Sequence, residues 1–463
     1  MKKRGMYTGI LAVLLLYACA CTGQSADRPG TVEDVTAPTV ATEQLTESVY
    51  PEHIENAFAG QEDTPASELS YTGERELTIT GYSGKAGIVR IPAEIAGKPV
   101  VAIAAEAFAG NTALTALYVP KTVREIAAGA LDQCTALRTL KMPRLYGKAE
   151  ESRYLGYLFG AQDYNDNAKK VPASLEYVIL YAETEVDPYA FFDCNDLLCV
   201  SLGNEAVRIG KFAFYGCKAM QYCDIGEAVT EIGAYAFSGS ALTCLKIPQT
   251  VTGIGLGILA DCAGLEILEI PFVGDGGDNR YLGYLFGAES YLFTAGYVPT
   301  TLKKVMIAEG CRKIDDHAFF ECNSIQEVVI PESVTSIGLR AFYGCQRLLS
   351  VSIPGACRSL GDNAFFGCLN LKNVEMANGV TEIGMQAFFR CISLERLELP
   401  DSVTRVGISA FYDCRKLGEV VLGNGTYEVG RNAFLGCTAI ETVSGGAHVT
   451  FAQGNQNITE KMQ

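Results

Sequence analysis

Apolar residues along most of this chain recur at fixed offsets, and the offsets themselves repeat every 23 residues. Ala-Phe pairs mark the period, with phenylalanines at Phe319, Phe342, Phe365, Phe388, Phe411 and Phe434 without a break. Upstream, Phe108, Phe191, Phe214 and Phe237 hold the same place, and Leu131 and Leu259 substitute for it. After each marker comes a short alternating stretch: Leu348, Val351 and Ile353 recur as Leu371, Val374 and Met376, then as Leu394, Leu397 and Leu399. Alternation of period two is what a strand with one buried face requires. Pro331, Pro354 and Pro400 end these strands, since proline cannot extend a ladder. A second short extended piece follows, Val334 and Ile337 before Gly338, repeated as Val380, Ile383 and Gly384. The glycine is expected to supply a turn conformation that a side chain would oppose.

The few inward apolar groups of one unit cannot offset the entropy of ordering its residues, so stacking on neighbours is obligatory. Two units are longer and match each other. Arg153 to Ala161 and Arg280 to Ala288 both read Arg-Tyr-Leu-Gly-Tyr-Leu-Phe-Gly-Ala, each followed by a loop, a proline (Pro172, Pro299) and a strand. The expanded units span about 144–180 and 272–307 within a solenoid expected over 70–445, with 446–463 as a C-terminal tail. Counting twelve standard and two expanded units gives about fourteen repeats. The fold expected is a mainly β solenoid, with one main strand, one shorter extended segment and helical turns in each repeat.

The N-terminus changes the picture of where this solenoid resides. Lys2, Lys3 and Arg4 precede the apolar run Ile10 to Leu16 and the sequence Leu16-Tyr17-Ala18-Cys19. The run is too short to span a membrane, and residues 1–18 read as a signal peptide. This stretch resembles the lipobox of bacterial lipoproteins, in which Cys19 would be lipidated, with Cys21 as the alternative. Residues 19–69 then read as a lipidated N-terminus and flexible acidic linker, rich in Thr, Glu, Asp, Ala, Pro and Ser without sustained apolar periodicity. The formal net charge of −16 disfavours nucleic acid and anionic membrane surfaces.

The unit Ala-Phe-x-Gly-Cys-x-x-Leu-x-x-Val-x-Ile-Pro from Ala341, with the Ser-Val-Thr-x-Ile-Gly segment after it, resembles the BspA-like leucine-rich repeat family of bacterial surface proteins. So do the opening pieces Leu77 to Tyr82 and Gly97 to Val101. The resemblance implies a leucine-rich-repeat solenoid, export to the cell exterior or periplasm, and adhesion to a host or bacterial surface protein or polysaccharide. A structural envelope spacer without a dedicated ligand is the alternative; a hydrolase with an unrecognised site is a remote one.

Candidate chemistry is sparse. Ten of the seventeen cysteines, among them Cys134, Cys217, Cys345, Cys368 and Cys437, hold one repeat position. Their side chains would run parallel, against disulfide geometry, so they read as small buried hydrophobes. Cys199 and Cys244 fall just before strand positions, where exposure is expected. There is no Cys-x-x-Cys, and the histidines are His53, His317 and His448; no metal, cofactor or catalytic constellation is expected. His317 reads as a variable turn residue, and Asp163 to Asn167 and Asp275 to Asn279 as solvated loops without a calcium-loop pattern.

Outward strand positions stack into columns on the order of 65 Å long for fourteen strands. One runs Val329, Ser352, Glu375, Glu398, Val421 and its neighbour Glu327, Ser350, Asn373, Arg396, Glu419, both mixed and mostly polar. Candidate ligand contacts are Glu375, Arg396 and Glu398 on this face, and Tyr164, Tyr291, Phe293 and Tyr297 in the expanded loops, since aromatic loop residues often anchor interfaces. The molecule is expected to be a monomer, held at the membrane by its lipid alone.

Overall fold

The structure, a computed structural model, describes residues 58–147 and 153–462. Cys19, Cys21, the signal peptide and most of the linker lie outside the described residues. From Leu69 on, the chain forms a mainly β solenoid of about 16 turns. Fourteen of these carry the Ala-Phe marker or its equivalent, and the other two are the entry and closing turns, which lack it.

The main strands form a parallel column that begins at Ile88–Arg90 and Ala116–Tyr118 and ends at Glu419–Leu422 and Thr442–Gly445. Register is strictly that of the repeat: Val351 faces Val374, and Ile353 faces Met376. The inward residues Leu348, Val351 and Ile353 are buried while Ser350 and Ser352 between and beside them are exposed. A second column of two- and three-residue strands runs alongside, as in Ser336–Ile337, Ser359–Leu360 and Glu382–Ile383. It continues past 445 to Val449–Phe451. There Asn455 closes the end by donating to the carbonyls of Gly430 and Ala452 and accepting from the Phe434 amide, with Ile458 buried beside it. At the other end, the amide and carbonyl of edge residue Arg90 bond the Thr64 hydroxyl and amide. Capping of both ends satisfies backbone groups that stacking cannot reach.

Between the columns the chain turns through the Ala-Phe segment. Phe319, Phe342, Phe365, Phe388, Phe411 and Phe434 are fully buried, their rings near-parallel and 4.9 to 5.3 Å apart. That spacing is close to the separation of the strands themselves, so each ring stacks on its own copy. The next residue forms a second stack that the periodicity alone had not signalled: Phe320, Tyr343, Phe366, Phe389 and Tyr412, at 4.7 to 5.1 Å.

The cysteine ladder proves to be a hydrogen-bond ladder. All fifteen described cysteines are free and buried. The Cys345 thiol donates to the Phe319 carbonyl at 3.0 Å, Cys368 to Phe342 at 3.2 Å, and Cys437 to Phe411 at 3.1 Å. The Phe342 carbonyl also accepts the Cys345 amide at 3.2 Å, so two successive turns share one oxygen. The position therefore calls for a small side chain with a proton to donate, and Ser240 fills it in one turn, within 3.3 Å of the Cys262 sulfur.

The repeated glycine has a different cause from the one expected. Gly338, Gly361, Gly384 and Gly407 are absent from the left-handed region. A Cβ on Gly384 would instead stand 2.6 Å from the Gly361 carbonyl carbon, so the glycine lets successive backbones approach. The left-handed residues lie two before and two after the phenylalanine, as at Asn363 (φ 58°) and Gly367 (φ 71°).

Burial pushes the Cys134 thiol up to about 11 and Cys345 to about 12. A thiol held protonated in the fold but free to ionise above about pH 8.5 when unfolded contributes stability that is present below that pH and lost as pH rises through the folded value. The melting temperature is accordingly expected to fall between about pH 8.5 and 11, and a thiol reagent at pH 8 to label none of these cysteines before unfolding. By urea denaturation, Cys368→Ala should cost about 1–2 kcal/mol and Cys368→Ser less, because only serine keeps a donor for the Phe342 carbonyl.

Candidate ligand-binding surface

The two expanded turns depart from the repeat in the same way. Each stays in the backbone ladder by shifting it within the turn: the Leu131 amide bonds the Leu158 carbonyl and the Leu259 amide that of Leu285, whereas toward the following turn it is the Leu155 and Leu282 amides that bond the carbonyls of Ala190 and Ala318. Leu155–Phe159 and Leu282–Phe286 form 3-10 turns ended by left-handed Gly160 and Gly287. Tyr154 and Tyr281 are buried, and their hydroxyls donate to the carbonyls of Ala161 and Ala288. The shared nonapeptide is thus a pedestal, packed inward, and not itself a contact surface.

On the pedestal sits a loop with one backbone plan in both copies. Asp163 and Ser290 accept from the amides of Asn165 and Leu292. A 3-10 turn, Tyr164–Asp166 or Tyr291–Phe293, then runs into one α-helical turn, Asn167–Lys170 or Thr294–Tyr297. Asn167 and Thr294 are fully buried beneath it. The Asn167 side chain accepts from the Gly156 amide at 2.9 Å and donates to the Phe192 carbonyl at 3.0 Å, tying pedestal, loop and next turn together. The Thr294 hydroxyl makes neither bond.

Tyr164 and Tyr291 are half-buried anchors. Tyr164 stacks on Tyr189 at 4.3 Å with its edge against Phe192; Tyr291 stacks on His317 at 4.0 Å with its edge against Phe320. Burial and the Arg340 guanidinium hold the His317 pKa below its ordinary value, so the ring meets Tyr291 neutral near pH 7. The tips then diverge. Leu292, Phe293 and Tyr297 are 56, 57 and 50% exposed, where the first loop places Asn165, Asp166 and Lys170. In the first loop Lys169 pairs with Asp166 at 3.0 Å. Beyond the second loop, a groove runs between Ala295 and Val298 on one side and Glu321, Asn323, Gln346, Arg347 and Asn370 on the other.

The second-column ladder breaks at each expanded turn, between Glu125–Ile126 and Glu185–Val186 and between Gly253–Ile254 and Lys313–Ile314. In the first copy, charge fills the gap. Arg153 bonds Asp187 at 2.9 and 3.1 Å and Glu183 at 3.2 Å, and the other Glu183 oxygen accepts the Leu145 amide at 2.7 Å. Glu183 stands where other repeats have Val229, Cys311 or Val334, and its burial raises its pKa. In the second copy Arg280 meets Asp315 at 3.2 Å, its side chain 51% exposed against 18% for Arg153, and Lys313 also meets Asp315 at 2.9 Å.

Glu375, Arg396 and Glu398 lie exposed on the main strand column, where Arg396 contacts Glu398 at 3.1 Å and Glu419 at 3.6 Å. They belong to the strand face and the tyrosines to the turns, so the two groups of candidates form no common site. Nearer the N-terminus the strand face is less polar than the later columns suggest. Cys199 and Cys244, expected to be exposed, are buried: Cys199 lies between its strand partners Tyr177 and Tyr222, against Ile179. Burial pushes the Cys199 thiol up to about 12. The signal was present in the alternation Tyr177, Cys199, Tyr222, Cys244, Ile267, each one residue before an inward strand position.

The acidic loop residues are engaged internally. Asp163 caps its turn, and Asp275 accepts from the amides of Gly277 and Asn279 and from the Asn279 side chain. Among the described residues, no cluster of three or more His, Cys, Asp or Glu could hold a metal ion, and no helix is long and apolar enough to cross a membrane.

The model of the BspA type leucine rich repeat region matches this chain in six copies, over residues 94–155, 176–273, 293–395 and 340–456, well over half its length. A leucine-rich repeat protein from Bacteroides ovatus is similar in structure, with 22% identity and a TM-score of 0.34 over 74% of this chain and 95% of that one. A leucine rich cell surface protein from Faecalibacterium prausnitzii shows 21% identity and a TM-score of 0.32 over 86% and 97%. A leucine rich repeat protein of T. pallidum shows 22% and 0.21 over 62% and 91%. No curated protein matches the chain.

The duplicated arginines give a direct comparison. Arg153→Ala strands two buried carboxylates and should cost about 3–5 kcal/mol, whereas Arg280→Ala removes a half-exposed guanidinium and leaves Asp315 paired with Lys313, so it should cost under about 1 kcal/mol. Denaturant midpoints of the two variants, measured side by side, check this.

Proposed function

From its membership of the BspA-type leucine-rich repeat family, to which the chain belongs, we propose that this protein is a cell-surface binding module without catalytic activity. It is displayed outside the cytoplasm as a monomeric lipoprotein, anchored through Cys19 or else Cys21. The acidic residues that precede Phe58 within 19–69 serve as a tether, and the solenoid carries a protein or glycan contact surface. The observation that carries this reading is the exposed tip Leu292, Phe293 and Tyr297 on a loop held by the Ser290 turn and the stack of Tyr291 on His317. Exposed large apolar side chains on a fixed backbone are costly in water unless a partner covers them. The described cysteines support the absence of catalysis, because burial raises the thiol pKa at Cys345 and Cys368, away from nucleophilic reactivity.

The test is binding of the exported chain to an array of matrix proteins, mucins and bacterial glycans, beside variants lacking 161–172 or 288–299. Saturable binding that is lost with the 288–299 deletion, and kept in a strand-face variant such as Glu375→Ala, is the expected result. Absence of binding across the array would overturn it in favour of an envelope spacer. Radiolabelled palmitate incorporation abolished by Cys19→Ala tests the anchor, and incorporation that persists until Cys21→Ala is added would move the lipid to Cys21.

A further inference from the structure

We infer that the last main strand, Thr442–Gly445, is a docking edge for an extended peptide of a partner protein, one that alternates apolar and basic residues and joins the column as a further parallel strand. This site is separate from the second loop. Thr442–Gly445 pairs with Glu419–Leu422 through one side, and among the described residues no strand pairs with its other side. In a parallel ladder, successive residues point their amide and carbonyl toward opposite neighbours. The Thr442 amide bonds the Gly418 carbonyl at 3.2 Å, so Thr442 and Ser444 spend their groups on the preceding strand. The amide and carbonyl of Val443 and the amide of Gly445 are therefore directed outward. Those groups are what an added strand of about three or four residues needs to continue the pattern.

The two ends of this column differ. At the first strand the edge is closed from within the chain: the Thr64 amide and hydroxyl bond the carbonyl and amide of Arg90, Asp63 meets the Arg90 guanidinium at 3.4 Å, and the Phe58 ring lies 5.9 Å from Tyr118. At the last strand the closing segment caps the second column and the phenylalanine turn instead, through Val449–Phe451 and through Asn455 on Phe434 and Gly430. Val443 shows the consequence. It holds the inward place of Val351, Leu397 and Val420, all buried, yet it is only half-buried, with Thr442, Ser444 and Gly445 exposed around it. The strand carries neither the lysine nor the proline that commonly guards an edge. An apolar side chain set over Val443 at the strand spacing completes its burial. The face leading to the edge sets the charge of the ligand. Glu395, Glu398, Glu419 and Glu441 are exposed on it, against Arg396 and Lys416, so basic residues suit the outward positions of the incoming strand.

The probe is the fluorescein-labelled peptide Lys-Val-Lys-Val-Lys-Pro, titrated with the exported chain by anisotropy, with amide hydrogen exchange followed by mass spectrometry. Saturable binding and slowed exchange over 440–446 are expected. Methylating the backbone nitrogens of the second and third lysines keeps every side chain, removes the donors that face the Val443 carbonyl, and should abolish binding. Val443→Pro deletes the outward amide and no bond to Glu419–Leu422, so the ladder is kept; it should weaken binding about tenfold or more. Glu441→Lys, at an exposed position that the fold does not use, should weaken it about three- to tenfold. Binding that survives methylation of the peptide, or no saturable binding, overturns the inference. So does a dimer of the chain in sedimentation that Val443→Pro dissolves, which would make a second copy the occupant of this edge.

Discussion

Every side chain in this solenoid must tolerate its own copy one strand spacing away. The 23-residue period keeps successive turns in register, so a residue that recurs meets itself at about 4.8 Å, and only a few groups make that encounter favourable. A phenylalanine does, by stacking its ring on an identical ring at 4.9 Å. A cysteine does, because its proton can be aimed at the carbonyl of the turn before and its sulfur accepts a neutral neighbour. A glycine does where two backbones come too close for a Cβ. A charged residue does only on the outside, or singly, as Glu183 is, with an arginine brought to meet it.

The same constraint explains how a loop can be inserted without breaking the stack. Both expansions leave the main strands in register, since Leu140 still faces Val178 and Leu268 still faces Val305. They also keep the backbone ladder of the turns, through Leu131 to Leu158 and Leu155 to Ala190 in the first copy and Leu259 to Leu285 and Leu282 to Ala318 in the second. What they give up is the short second strand, the weakest of the repeated contacts, and each copy compensates differently. The first substitutes a buried arginine with two carboxylates. The second uses the Asp275 turn and a half-exposed arginine on Asp315, which demands less of the neighbouring core and leaves Cys311 at the position of Glu183.

Much of this was legible from residue spacing, and what was not has a common reason. The strands, the buried alternation and the two expansions followed from period and pattern, because burial acts on side-chain type. The donor role of the cysteines, the interturn approach at Gly384 and the second ring stack through Tyr343 and Phe366 depend on contacts between turns, which a single repeat does not display. Cys199 and Cys244 look exposed by position, yet the tyrosines flanking them in space, twenty-two or so residues away in sequence, cover the sulfur of Cys199. Tyr164 and Tyr291 read as loop contacts for the same reason: their stacking partners, Tyr189 and His317, belong to the following turn.

That distinction between self-matched and unmatched positions also bears on where function can reside. A position repeated through the ladder is fixed by its copies above and below, and changing one member disturbs two interfaces. Catalysis asks for the opposite, a unique group with a shifted reactivity, and the ladder moves its thiols toward inertness instead. The tips of the expanded loops are free of self-matching, having neither a copy one turn away nor a place in the core. They are where two otherwise equivalent backbones differ most, Asn165 and Asp166 against Leu292 and Phe293. The pedestal and the Tyr164 or Tyr291 stack hold the backbone whichever residues stand at the tip, so the tip can change its chemistry without cost to the fold. A surface that can vary freely while its support cannot is well suited to recognition, and it is in the second loop, where the variation has left apolar side chains in water, that a partner has the most to gain.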